Sequence, residues 1–256
     1  MIRKTHIFKS SLLALLALTA GLVHAEEKAP ADEAQPTLSE NEIAESLKKL
    51  VFVPHDTGAP EVTDAGGVRA VTVLPKIELL APDKMARTLS PTPTLYWHIS
   101  KGTEAPLRFT LLADDVNVID PLLEFQIDGI DQEGIYGVNL DDHGLSLEDG
   151  QRYIWSIALS SEGDSYGNDL VAQTVMEHKA GATLSSALET ASPEDRAVRL
   201  AAEGYWYDTI DTLSDQIEAG DASPWQSARA QLLDQAGLLQ SARYDRQRVG
   251  SDADLR

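Results

Sequence analysis

Six histidines, no cysteine and 41 Asp and Glu residues set the chemical repertoire of this chain. Without thiols there is no disulfide, no thiolate metal site and no Cys nucleophile. Four of the histidines, His55, His98, His143 and His178, lie beyond residue 25. None stands in a His-x-x-x-His or His-Glu-x-x-His arrangement, so a zinc site would have to be assembled from distant segments. His98 falls at an outward position of an alternating segment and is expected in solvent. No Ser-His-Asp triad is expected: a Gly-x-Ser-x-Gly nucleophile context is read as absent, and Ser, His and Asp occur in any sequence of this length.

The carboxylates gather in loops. Asp114-Asp115 precede Asp120, Asp128 and Asp131 flank a turn, Asp141-Asp142 precede His143-Gly144, and Glu162, Asp164, Asn168 and Asp169 share one segment. Loop oxygens are what Ca²⁺ selects, but no stretch has the EF-hand spacing. Turn chemistry and solubilising charge account for them, so no cofactor is expected, with Ca²⁺ as the alternative. A carboxylate pair for glycoside hydrolysis would also need an aromatic-lined cleft, and aromatic residues make up only 6% of the chain. Gly66, Gly67 and Arg69 could hold an anion through backbone N–H groups and a guanidinium, or form a turn with the Arg paired to an acid. Tyr205, Trp206 and Tyr207 are the densest aromatic cluster. Successive helical residues point about 100° apart. At least one of the three is therefore expected at a rim, where Tyr and Trp anchor partners.

These residues are carried on 256 positions with a net charge of −20 and 43% apolar residues. That apolar share supports a core and excludes wholesale disorder. The negative charge disfavours nucleic acid and anionic lipid. Residues 1–25 read as a signal peptide: Arg3, Lys4 and Lys9, then SLLALLALTAGL, then Val23-His24-Ala25 as the cleavage site. The run is shorter than the roughly 20 residues of a membrane span. Cleavage after Ala25 and a periplasmic mature chain with no transmembrane segment are expected. Residues 26–38 read as a disordered acidic leader. Residues 39–68 read as a short helix opened by the capping-box pair Ser39 and Glu42, followed by a Gly/Pro-rich connector.

Residues 69–180 follow a two-residue rhythm. Leu95, Trp97 and Ile99 are one such row; Leu107, Phe109 and Leu111, and Tyr153, Trp155 and Ile157, are others. About seven short strands at this spacing predict an antiparallel β-sandwich of immunoglobulin-like type. Tyr153, three residues after Gly150, is placed like the tyrosine of a sheet corner. Residues 181–248 change to a helical period. Ser192-Pro193 and Ser223-Pro224 open two units, and Gly204 and Gly237 recur at matching places. The spacing is close to that of tetratricopeptide-type hairpins. Two units are fewer than a free solenoid needs, so they are expected to pack on the sandwich. Residues 249–256 are expected to be a disordered tail. The fold class is thus α+β: a sandwich followed by a small helical region.

Several segments resemble one bacterial family, the domain of unknown function nine hundred and twenty-eight. They are FVPHDTGAP, Gly66-Gly67-Val68-Arg69, LLAP, SPTPTLYWHIS, APLRFTL, LEDGQRYIWSIAL and LAAEGYWYDTIDTL. The similarity runs from about Val51 to Leu239. The Gly-Gly-x-Arg segment departs slightly, since members often carry a third Gly and a Thr before that Arg. The resemblance implies an exported protein with no assigned reaction, and it carries over no catalytic residue. The reading is a non-enzymatic periplasmic module that binds another envelope protein. The alternatives are a small-ligand or glycan binder using its acidic loops and, behind it, a hydrolase with an unfamiliar site.

Overall fold

Alternate residues of an extended chain point to opposite sides, and the segments with that rhythm do form strands. The computed structural model describes residues 2–4, 38–55, 74–159, 170–220 and 222–253. In chain order the elements are β1 (Ile2–Lys4), α1 (Glu40–Leu47), β2 (Ile77–Leu79), β3 (Ala86–Thr88), β4 (Thr94–Ile99), β5 (Leu107–Ala113), β6 (Leu123–Ile127), β7 (Gly134–Asn139), β8 (Arg152–Leu159) and β9 (Leu170–His178). The helices α2 (Ala182–Leu188), α3 (Pro193–Ala202), α4 (Trp206–Ala219), α5 (Ala222–Gln235) and α6 (Leu239–Ala253) follow. The expected seven strands are present, with β1 and β3 in addition. Helix α6 runs to Ala253, so most of the expected tail is helical. The anion turn at Gly66, Gly67 and Arg69, the acidic leader up to Thr37, most of the signal segment and the loop carrying Glu162 and Asp164 lie outside the described residues.

The strands make two sheets. One has the order β1-β7-β4-β2, all antiparallel; the other has the order β3-β9-β8-β5-β6, antiparallel except for the parallel β3–β9 pair. Leu95, Trp97 and Ile99 of one sheet share a core with Phe109, Trp155 and Ile157 of the other. Tyr153, on β8, accepts the Glu148 N–H at its phenol oxygen, 2.8 Å away, which ties the turn before β8 to that strand.

All six residues of β4 are buried, including those on its outer face. The helices supply that cover. The Tyr96 hydroxyl donates to Asp211 of α4 at 2.8 Å, and the His98 ring lies 5.3 Å from that of Tyr244 on α6. Tyr96 lies across β7 at Gly137, where a Cβ would sit 2.8 Å from its ring, so only glycine admits it. His98 is therefore 1% exposed, not the solvated strand residue expected. Alternation had shown that it faces away from the other sheet, but not that helices cover the far side.

Local signals set the helices. The Glu42 carboxylate accepts the Ser39 N–H at 2.9 Å, closing the capping box of α1. Ser192 caps α3 by accepting from the Asp195 N–H, with Pro193 in the first turn. Gly204 ends α3 with φ +79°, where a Cβ would also meet the Val53 carbonyl at 2.9 Å. From α3 onward each helix packs on the next, and α1 packs on α3 and α5.

Candidate functional site

Tyr205, Trp206 and Tyr207 are 9%, 0% and 2% exposed. The expectation that one of them faces a partner does not survive that burial. Tyr205 precedes the helix with non-helical backbone angles and packs with Leu188 and Leu200. Trp206 donates to the Leu80 carbonyl and meets Phe52 edge-on at 4.8 Å. Tyr207 reaches the core shared by the two sheets, where its phenol accepts the Trp155 indole N–H at 3.2 Å. The three side chains fill three different surroundings: Tyr205 packs among the helices, and Trp206 and Tyr207 fix α4 to the strand region.

Titratable groups line the same seam. Asp208 accepts the backbone N–H groups of Leu89 at 2.7 Å and Ser90 at 2.8 Å. Burial pushes its carboxyl up to about 6, against the opposing pull of those two bonds. Arg229 and Asp245, 1% and 0% exposed, form a two-bonded pair at 2.7 and 2.8 Å, and Arg229 also donates to Ser214. Glu78 accepts both the N–H and the hydroxyl of Ser241 on α6. Across the β2–β4 pair from Glu78, His98 holds its Nε2 3.3 Å from Glu133. Burial lowers the His98 pKa, and Glu133 opposes that shift. Asp208 ties α4 to the segment after β3 and Glu78 ties β2 to α6, whereas the Arg229–Asp245 pair joins α5 to α6. The groove beside Asp208, about 360 Å³, is lined by Ser90, Arg196, Asp211, Asp215 and Gln216.

The exposed surface differs at one place. The hairpin loop between β5 and β6 carries Val116, Val118, Ile119 and Leu122 at 96%, 37%, 83% and 43% exposure. Exposed apolar residues scattered singly need no explanation, but four within seven positions form a patch. The loop is held by its own chemistry. The Asp115 carboxylate accepts the Asn117 backbone N–H at 2.8 Å, the Val118 N–H returns to the Asp115 carbonyl, and the Leu122 N–H bonds to the Leu111 carbonyl. Asp114 pairs with Arg152 at 3.1 Å. Asp115 thus shapes the turn and Asp114 pairs across to β8, in a loop that presents apolar side chains. After the loop, β6 is the last strand of its sheet. Its Leu123, Phe125 and Ile127 turn inward and its Glu124 and Gln126 outward, with His143 stacked on Phe125 at 4.6 Å.

The remaining expected positions stay apart. His55 meets the Glu203 carbonyl at 2.9 Å, and His178 is buried at the end of β9. Among the described residues no three His, Asp or Glu side chains gather as a metal-binding group. Among those residues, too, no helix is long and apolar enough to cross a membrane. The expectation that the chain lacks a Gly-x-Ser-x-Gly segment is wrong: Gly163-Asp164-Ser165-Tyr166-Gly167 has that spelling of a nucleophile turn. That turn joins a strand to a helix. Here the segment joins β8 to β9, which pair with each other, and it lies outside the described residues. The apolar loop left a trace in sequence, VNVIDPL, that a reading of its carboxylates alone overlooks.

A family model described as Domain of Unknown Function (DUF928) matches residues 65–245. No curated protein matches the chain.

Proposed function

The chain belongs to the DUF928 family, and from that premise we propose that it is an exported, periplasmic protein-interaction module whose contact surface is the β5–β6 loop. The single observation behind the reading is the exposed patch of Val116, Val118, Ile119 and Leu122 on an ordered turn. Export is read from the basic start, apolar run and Val-His-Ala site of residues 1–25. The strand order supports an immunoglobulin-like sandwich. β2-β4-β7 takes the places of strands A, B and E, and β9-β8-β5 those of G, F and C, with β6 added beyond C. The bond at Tyr153 has the form of that fold's tyrosine corner. The matching starts of α4 at Trp206 and α6 at Leu239 support a tetratricopeptide-like pair of hairpins. In this reading the helices brace the sandwich and the loop meets the partner.

Affinity purification from crosslinked native envelopes tests the proposal. The unmodified protein is expected to bring down a defined partner, and a Val116→Ser, Ile119→Ser variant of equal abundance is expected to lose it. Recovery of the protein alone, or of the same partner by both forms, would overturn the reading.

A further inference from the structure

We infer that β6, together with the loop before it, is a strand-addition site for an extended segment of another protein in which Lys or Arg alternates with apolar residues. This rests on the interaction reading above and names the mode and chemistry of the contact.

β6 is hydrogen-bonded to β5 on one side and has no strand on its other side among the described residues. An edge strand leaves alternate N–H and C=O groups free for pairing, and proteins blunt such edges with Lys, Pro, bulges or a covering element. The five residues Leu-Glu-Phe-Gln-Ile carry no Lys and no Pro. They pair in unbroken register from Leu111–Leu123 to Leu107–Ile127, so no bulge twists the strand away. Apolar side chains stand at the near end of this edge, with Val116 and Ile119 the most exposed. Added strands gain affinity from main-chain bonds and specificity from the side chains beside them.

Charge selects the occupant. Asp115, Asp120, Glu124 and Asp128 are exposed along the loop and strand. The nearby cations are engaged: Arg152 pairs with Asp114, and Arg108 also has a partner. An acidic edge attracts a basic segment and repels an acidic one. The same charges disfavour a second copy, since two β6 edges side by side would bring like carboxylates together on a chain of net charge −20. They also disfavour an anionic bilayer.

The test uses the exported full-length mature protein with two synthetic ten-residue peptides, one alternating Val with Lys and one alternating Val with Glu. Amide hydrogen exchange and titration are read on the same samples. The Lys peptide is expected to slow exchange across 123–127, to bind at least tenfold more tightly than the Glu peptide, and to weaken with added salt. An Asp120→Lys, Glu124→Lys variant, exposed at both positions, is expected to reverse the preference. Binding without protection of 123–127 would overturn strand addition and leave the interaction reading standing. No binding of the Lys peptide at millimolar concentration, equal binding of both peptides, or protection of 123–127 through self-association alone would also overturn the inference. If partner capture is also lost at the loop variant's positions only, the docking reading survives independently of this result.

Discussion

Trp206 donates its indole N–H to the Leu80 carbonyl at 2.7 Å, joining the first turn of α4 to the residue after β2 across 126 positions of sequence. Both groups are buried, so each would be orphaned without the other. Trp206→Phe keeps an aromatic ring and removes the donor, which is expected to cost about 1–3 kcal/mol. Trp206→Ala adds a cavity and is expected to cost about 3–5 kcal/mol. Urea unfolding checks both, and equal stability of Trp206→Phe and the parent would contradict the assignment.

Arg229 and Asp245 make a buried ion pair between α5 and α6. Removing one member leaves an unpaired buried charge, so Arg229→Met is expected to destabilise by about 3–5 kcal/mol. The double change Arg229→Met, Asp245→Leu removes both charges and is expected to regain most of that loss. A double-mutant cycle in urea measures the coupling; additive losses would refute it.

Asp208 and His98 give opposite pH dependences. The folded Asp208 carboxyl sits near 6, above the unfolded value of about 3.9. The folded state then binds more protons in that window. Its contribution is therefore fully present below about 4 and is lost as pH rises through 6. For His98 burial lowers the folded pKa, so the unfolded state binds more protons. Its contribution is present above the unfolded value of about 6.5 and is lost as pH falls through the folded value. Melting temperatures from pH 4 to pH 8 check this. Asp208→Asn is expected to remove the decline between 4 and 6, and His98→Phe is expected to lessen acid destabilisation. Profiles parallel to the parent would contradict both.

Tyr153→Phe removes the oxygen that accepts the Glu148 N–H and leaves the ring in place. The expected loss is about 1 kcal/mol, read as a lowered urea midpoint with unchanged slope. A variant as stable as the parent would mean that this bond does not fasten the corner.

Much of this fold was legible because its strands obey a two-residue period and its helices begin and end on strong local signals. Ser39 with Glu42, Ser192 with Pro193, and Gly204 each sit where their chemistry requires. Period alone cannot tell that β4 is covered on both sides, and so it predicts a solvated His98 where the structure buries it. The rule that adjacent helical residues diverge was sound for Tyr205, Trp206 and Tyr207. It failed as an argument for exposure because Tyr205 lies ahead of the helix and each direction meets a separate buried surface. The Arg229–Asp245 pair joins two helices and has no local spacing to announce it. Strand β3, three residues long, is too short for any periodicity to show.

Site-specific photocrosslinking in intact cells tests the docking surface most directly. A photoreactive side chain is placed at Ile119, with Leu239, 63% exposed on α6, as the control position. A discrete adduct from Ile119 and none from Leu239 is the predicted result. No adduct at Ile119, or the same adduct from both positions, would contradict the account.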